Sequence, residues 1–477
     1  MVFSSAFFLF AFLPASLVGY YLIPTKFKNG WLLFASLVFY SWAGFEFTVL
    51  FIALTLVNYF IGLGFGLSSL TPQQRKALLV FAVFLNVMVL AFFKYFNFFE
   101  TNVQSLLNWI NPGIQLGAPK IPLPVGISFF IFQKLSYLLD LYWGKVKPQK
   151  NILNLALYAF LFPQLIAGPI VRYVDIEREI DGPRKINREL FKSGLVLFMI
   201  GFAKKVLLAN NVGIVADTVF KQPDTFPLFG AWVGVIAYAL QIFFDFSGYS
   251  DMAIGIGRMF GFHFKINFNQ PYTAISVRDF WQRWHISLSS WFKDYLYIPL
   301  GGNRKGSFKT YRNLLIVFFV TGLWHGASWT FVIWGLYFGI FLILERGVFG
   351  RLLEASSRWV QTSYTLLVVL FGWVIFRAEN MNDVVTLVTS MFSWKSTSLA
   401  AAVQLLSNER WVFLLVAVLA VIPWNRSIRL VELAAKANDA SSGLLEIARD
   451  IVLFLAFLVS IAYVMGNGFN PFIYFRF

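Results

Sequence analysis

The stretch FTVLFIALTLVNYFIGLGFGL, residues 47–67, runs for 21 residues without a charge. A bilayer hydrocarbon core about 30 Å thick asks for about 20 mostly apolar residues per helical span, so this segment alone predicts a membrane crossing. Comparable runs recur along the chain: Ala6–Tyr21, Trp31–Ala43, Leu78–Phe93, Leu123–Trp143, Leu195–Leu208 and Phe229–Phe246 in the first part, then Leu314–Leu323, Phe331–Leu344, Leu366–Ile375, Trp411–Ile422 and Ile451–Met465. Several are too short alone and must borrow flanking residues or stop partway. The expectation is an all-α integral membrane protein with roughly ten to twelve crossings. Composition agrees: 58% of the 477 residues are hydrophobic and 13% charged, against roughly half and a quarter in a soluble domain. We read one polytopic membrane domain over residues 1–477, with no soluble module attached.

The net charge of +16 lies in short clusters between apolar runs, as the excess of Lys and Arg in cytoplasmic loops requires. Nucleic acid is therefore not an expected partner; membrane lipid is. Lys26 and Lys28 follow the first run, Arg75 and Lys76 the third, and Lys145, Lys147 and Lys150 the fifth, which places the N-terminus outside. Lys94, read as lying at a helix end, is a mild exception. The chain has no cysteine, which excludes thiolate catalysis, disulfides and Cys-ligated metal. No basic residue precedes Ala6–Tyr21 and no small-residue cleavage pattern follows it, so it reads as a span rather than a cleaved signal.

Three segments depart from simple crossings. Residues 151–169 are apolar yet flanked by cations on both sides, which suits a re-entrant segment. Its PQLIAGP part, residues 163–169, reads as irregular backbone, tolerated at membrane depth only when buried in protein or lining a cavity. Lys204 and Lys205 fall late in an apolar run and are expected to snorkel from a helix end, the alternative being a polar cavity. In residues 277–300, Phe280, Trp284, Leu288, Trp291 and Tyr295 share one helical face, with Arg278, Arg283 and Lys293 among the other positions; the segment reads as an amphipathic helix lying at or dipping from the cytoplasmic interface. The mixed polar stretch 425–450 is expected on the cytoplasmic side.

The three histidines, His263, His285 and His325, have no zinc-motif spacing, so no metal site is expected. His263 stands beside Lys265 in an interfacial setting. His325 is set apart by depth: it lies 13 residues beyond Arg312, about 20 Å along a helix at roughly 1.5 Å per residue. An ionisable group that deep is a functional candidate by default. The surrounding TGLWHGASW, residues 321–329, supplies small residues and two Trp, Trp324 among them, that can wall a pocket. Imidazole titrates near operating pH and can deprotonate a hydroxyl attacking a thioester; a structural His bonded between helices is the alternative. His285, one turn from Trp281, either orients substrate or is interfacial and structural. FFDFSGYSDMA, residues 243–253, adds Asp245, Ser247, Tyr249 and Asp251 as candidate binding groups, with helix-to-helix hydrogen bonding as the alternative. GGNRKG, residues 301–306, offers Arg304 and Lys305 to the phosphates of a nucleotide-like donor, or is simply a basic turn.

Long ordered motifs carry a resemblance over nearly the whole chain: MVFSSAFFLFAFLP (1–14), LPVGISFFIFQKLSYLLDLY (123–142), FPQLIAGPIVRY (162–173), FFDFSGYSDMAIGIGRMFGF (243–262), DFWQRWHISLSSWFKDYLYIPLGGNRKG (279–306), TGLWHGASWTFVIWG (321–335) and NPFIYFRF (470–477). Together they resemble the membrane-bound O-acyltransferase (MBOAT) family, in particular its bacterial alginate O-acetylation branch. The resemblance implies a ring of helices with re-entrant and interfacial elements around a central tunnel, and a catalytic core over approximately residues 120–346 of this chain. It implies His325 as the essential His and His285 as the second, with no bound cofactor. It further implies acetyl-CoA as cytosolic donor, an extracytoplasmic polysaccharide such as alginate as acceptor, periplasmic acetyltransferase partners, and a place in the bacterial cytoplasmic (inner) membrane. Two other readings stay open: D-alanyl transfer to teichoic acid by a sister branch, and a non-catalytic polysaccharide or acyl transporter built on the same polar cavity.

Overall fold

The computed structural model describes residues 1–165, 168–395, 398–405, 408–422 and 439–467, and these are helical, without strands. Residues 166–167 of the PQLIAGP segment, much of the polar stretch 425–450, and the C-terminal NPFIYFRF motif lie outside the described residues. The longest helix, α1 (Pro72–Ile110), begins at a capping box: the Gln74 N–H donates to the Thr71 hydroxyl at 3.3 Å, the Thr71 N–H donates to the Gln74 side chain at 2.9 Å, and Pro72 fills the first helical position. Inside the apolar layer α1 is tied to the Phe45–Gly64 helix by a reciprocal amide pair, Asn58 with Asn86, at 2.8 and 3.2 Å. Both side chains are fully buried, as polar groups in lipid require.

Six described helices are long and apolar enough to cross a bilayer, or seven if Trp329–Leu344 and Val348–Ala355, bent by 73° at a short break, form one span. Phe8–Leu22 is a shorter apolar helix, and α2 (Ile127–Tyr142) is a further short helix, almost wholly buried. Ten to twelve crossings would therefore have to include helices too short to span unaided. Between residues 151 and 169 the chain forms two short helices, Ile152–Phe160 and Phe162–Leu165, broken at Leu161. The freed backbone groups find buried partners: the Phe162 N–H donates to the Ser36 hydroxyl at 3.1 Å, and the Gln164 amide donates to the Tyr158 carbonyl at 2.6 Å. Irregular backbone is tolerated here because it is enclosed by protein.

Small residues set the closest helix contacts. α3 (Arg188–Ala203), continued by a π turn through Ala209, packs against α4 (Phe229–Met259), and a Cβ on Gly201 would stand 2.4 Å from the Gly248 carbonyl oxygen. That approach brings Lys204 to Asp251 at 2.7 Å and Lys205 to Asp245 at 2.5 Å. Lys205 and Asp245 are almost wholly buried. The lysines expected to snorkel instead form inward ion pairs, because α4 carries carboxylates at matching heights.

The segment at 277–300 also differs from a single interfacial helix. It divides into α5 (Val277–Arg283), α6 (Ile286–Phe292) and a π turn over Lys293–Tyr297, with His285 between the first two in the left-handed region at φ 45°. Phe280, Trp284, Leu288, Trp291 and Tyr295 are all buried, so the aromatic face is turned into protein and not toward lipid. α7 (Ser307–His325) then pairs with α8 (Trp329–Leu344) at backbone contact: a Cβ on Gly322 would lie 2.3 Å from the Phe331 carbonyl oxygen, and one on Gly335 2.2 Å from that of Phe318. α9 (Arg358–Arg377) closes over the same region through Trp373 and Phe376.

A buried ion pair predicts a non-additive response. K205M, which removes the cation facing the buried Asp245 carboxylate, is expected to destabilise the protein by about 3–5 kcal/mol, whereas K205M/D245L is expected to regain most of that loss. Thermal unfolding of the purified protein and both variants in micelles measures the difference.

Candidate active site

A helix that ends inside an apolar layer leaves its last carbonyls without partners. α7 ends in this way at His325, and α1 supplies the missing donors. The Lys94 ammonium donates to the Trp324 carbonyl, to the His325 carbonyl at 3.3 Å and to the Ser128 hydroxyl at 3.3 Å, while the Tyr95 hydroxyl donates to the Leu323 carbonyl at 2.7 Å. A cation at a helix C-terminus also suits the helix dipole. Lys94 is buried near the middle of α1, not at a helix end. It fixes the turn from which the His325 ring projects.

That ring is enclosed by aromatic edges and faces. Trp324, Trp334 and Phe376 lie at centroid distances of 4.8, 4.9 and 5.2 Å, all near perpendicular. His285 is wholly buried, 6.1 Å from the Trp324 ring, which in turn lies against His325. Its Nδ1 contacts the Asn267 side-chain oxygen at 3.1 Å. His285 Nε2 and the indole N–H groups of Trp281, Trp324 and Trp334 are buried without a hydrogen-bond partner among the described residues. Buried polar groups are almost always paired. One imidazole nitrogen and three indole donors are thus left open in the aromatic cluster that holds the two histidines, where a polar ligand could meet them.

A cavity of ≈ 1000 Å³ approaches this site from the side of the GGNRKG loop. Arg278, Lys293, Arg304, Lys305 and Arg346 stand in its wall against Glu345 and Glu354, so its charge is net positive. Trp281, Phe318 and Thr321 also line it. Thr321 precedes His325 by one helical turn, and Trp281 stands four residues before His285. Neither imidazole lines the cavity. The wall between is aromatic, since the Trp281 ring meets Trp334 at 5.7 Å and Trp334 meets His325.

Of the residues singled out from sequence, His325, His285 and Trp324 are brought together, and Arg304 and Lys305 stand at the cavity. Asp245 and Asp251 are engaged in the lysine pairs, Tyr249 stacks on Phe3 at 4.5 Å, and Ser247 is buried on the same helix; none of the four lines the cavity. His263 is exposed, with Nδ1 2.7 Å from Glu179. Sequence reasoning passed over Lys94, Asn267, Trp281 and Trp334. Lys94 alone carried a signal, since it follows an apolar run that α1 continues for sixteen further residues, as Lys94 to Ile110 shows.

The Lys94 cap can be tested directly. K94M strips the last carbonyls of α7 of their donor and is expected to cost about 1–3 kcal/mol while lowering turnover. Thermal unfolding and acyl-transfer assays on the same preparation check both effects.

The profile of MBOAT, the membrane-bound O-acyltransferase family, matches residues 147–385. The chain is 41% identical over 506 aligned residues to the probable alginate O-acetylase AlgI of Azotobacter vinelandii and 40% identical over 492 to that of Pseudomonas putida, in each case covering 100% of both chains. It is 36% identical over 437 residues to the peptidoglycan O-acetyltransferase of Helicobacter pylori, covering 84% of this chain and 81% of that relative. The chain therefore belongs to the membrane-bound O-acyltransferase family and is a multi-pass membrane O-acyltransferase.

Proposed function

We propose that this enzyme takes an acetyl group from acetyl-CoA on the cytosolic side of a bacterial cytoplasmic membrane and passes it outward for O-acetylation of an extracytoplasmic polysaccharide such as alginate. Periplasmic acetyltransferase partners complete delivery to the polymer. The observation that carries the reading is the pairing of His325 and His285, with open N–H donors around them, one helical turn beyond a positively charged cavity. The relatives named for alginate and peptidoglycan O-acetylation support the acetyl group and a polysaccharide acceptor.

The proposed chemistry needs a base, a way to hold charge on oxygen, and a dry setting. The acceptor hydroxyl attacks the thioester carbonyl carbon. Its proton passes to the unprotonated nitrogen of His325 as the C–O bond forms. When the C–S bond breaks, that proton goes to the departing thiolate, and the products are an ester and free thiol. An acetyl group held briefly on His325 would give the same balance in two steps. The indole N–H groups suit the carbonyl oxygen, where negative charge develops in a water-poor pocket. Arg304, Lys305 and Arg278 suit the phosphates of the donor as exposed point charges and guanidinium forks. To reach the imidazoles, the thioester end must pass the Trp281–Trp334 wall, a step of about one helical turn or roughly 5.4 Å.

A strain lacking this protein, complemented with the natural sequence or with H325A, tests the reading. Mass spectrometry of its exopolysaccharide is expected to show acetyl esters only with the natural sequence, and turnover by purified H325A is expected to fall about 10²–10⁴-fold with membrane levels unchanged. Undiminished acetylation with H325A would favour a transporter, and D-alanyl esters in place of acetyl would move the enzyme to teichoic-acid chemistry.

A further inference from the structure

We infer that Asn267 holds the His285 imidazole as its Nδ1–H tautomer, so that His285 presents Nε2 to the incoming substrate as a hydrogen-bond acceptor and not as a donor. The inference rests on the reading of His285 and His325 as the reacting pair, and it follows from the buried polar network behind His285.

Asn267 is buried at 1% exposure. The Ser287 backbone N–H points at its side-chain oxygen at 3.1 Å. A backbone amide can only donate, so the atom it meets is the amide oxygen, and the orientation of the Asn267 side chain is fixed by chemistry. Its NH2 group then donates to the Ser250 hydroxyl at 3.1 Å. The Ser287 hydroxyl accepts the Ile170 N–H at 2.9 Å and sends its own hydrogen to the same Asn267 oxygen at 2.9 Å.

The ring nitrogen facing this oxygen is His285 Nδ1, at 3.1 Å. An amide oxygen cannot donate, and the Ser287 hydroxyl, 3.4 Å from Nδ1, gives its hydrogen to the nearer Asn267 oxygen at 2.9 Å, so Nδ1 carries the hydrogen. A neutral imidazole has only one, and the lone pair therefore lies on Nε2, the nitrogen left without a partner in the site. The ring has little freedom to turn: Phe246 stands edge-on to it at 4.6 Å. The backbone is held as well, in a left-handed conformation that a residue with a side chain rarely adopts. The Ile286 N–H donates to the Asn267 carbonyl at 2.9 Å and the Asn269 N–H to the Arg283 carbonyl at 2.9 Å, clamping the 267–269 strand of chain along the α5–α6 break. Asn267 thus acts as a positioning residue through His285, as the partner of a catalytic imidazole does when it selects the tautomer. With His285 accepting, stabilisation of a carbonyl oxygen falls to the indole N–H groups.

The chain has only three histidines, which makes a direct reading practical. Full-length protein labelled with [15N]histidine, in nanodiscs at neutral pH, is examined by solid-state NMR, with H285Q identifying the His285 signals. The expected result is a protonated Nδ1 and an unprotonated Nε2. A protonated Nε2 in the natural sequence overturns the inference whatever the activity shows. In acetyl-transfer assays N267L is expected to lower kcat at least about tenfold, since misplaced tautomers are costly in such sites, with the donor KM little changed. N267D keeps an acceptor oxygen opposite Nδ1 and is expected to restore the tautomer and part of the turnover. Unchanged kcat in N267L, or no recovery in a folded N267D, counts against the inference. Undiminished transfer by H285A would instead remove the catalytic reading beneath it.

Discussion

A bilayer interior offers no hydrogen bonds, so every polar group this chain carries into it must be answered from within the protein. That constraint accounts for the ion pairs of Lys204 and Lys205 with α4, the reciprocal Asn58–Asn86 amides, and the Lys94 cap on α7. Each cross-link fixes the height of one helix against another. The same demand makes exceptions informative. Among the groups left open, Nε2 of His285 and the indole donors of Trp281, Trp324 and Trp334 lie in the aromatic cluster that holds the two imidazoles, where an arriving ligand would meet them.

Close helix packing and polar matching act together on the site. Gly322 and Gly335 let α7 and α8 touch through their backbones, which leaves the end of α7 pressed into the protein with its carbonyls uncapped by its own helix. α1 then reaches across with Lys94 and Tyr95. Two elements far apart in sequence thereby set one imidazole, and a third, the 267–269 stretch, sets the other. The positively charged cavity ends one turn short of both imidazoles, and the Trp281 and Trp334 rings stand between it and His325.

Much of this was legible in the sequence. Residues 47–67 dictated a membrane fold, and the count from Arg312 to His325 marked an imidazole at depth on the helix that the structure shows as continuous from Ser307 to His325. His285, which the motifs set beside His325, meets the same Trp324 ring as His325. What escaped notice depends on partners distant in the chain. Lys94 follows the apolar run ending at Phe93 and so looked like a helix end, yet α1 continues to Ile110. Lys204 and Lys205 follow a rule for snorkelling that holds only when no carboxylate waits inside, and Asp251 and Asp245 are on another helix. The aromatic spacing in residues 277–300 fits one unbroken helix; the break at His285 is held by hydrogen bonds to the oxygens of Asn267, and no local pattern announces it.

The proposed chemistry requires one buried pair of imidazoles to serve two aqueous sides. The most direct measurement uses sealed proteoliposomes in which the enzyme has a single orientation, with acetyl-labelled acetyl-CoA supplied only on the face bearing the GGNRKG loop and an oligosaccharide acceptor, together with any required periplasmic partner, only on the other. The account predicts labelled ester on the acceptor side while the vesicles remain sealed. Transfer that occurs only when donor and acceptor share a compartment would contradict it.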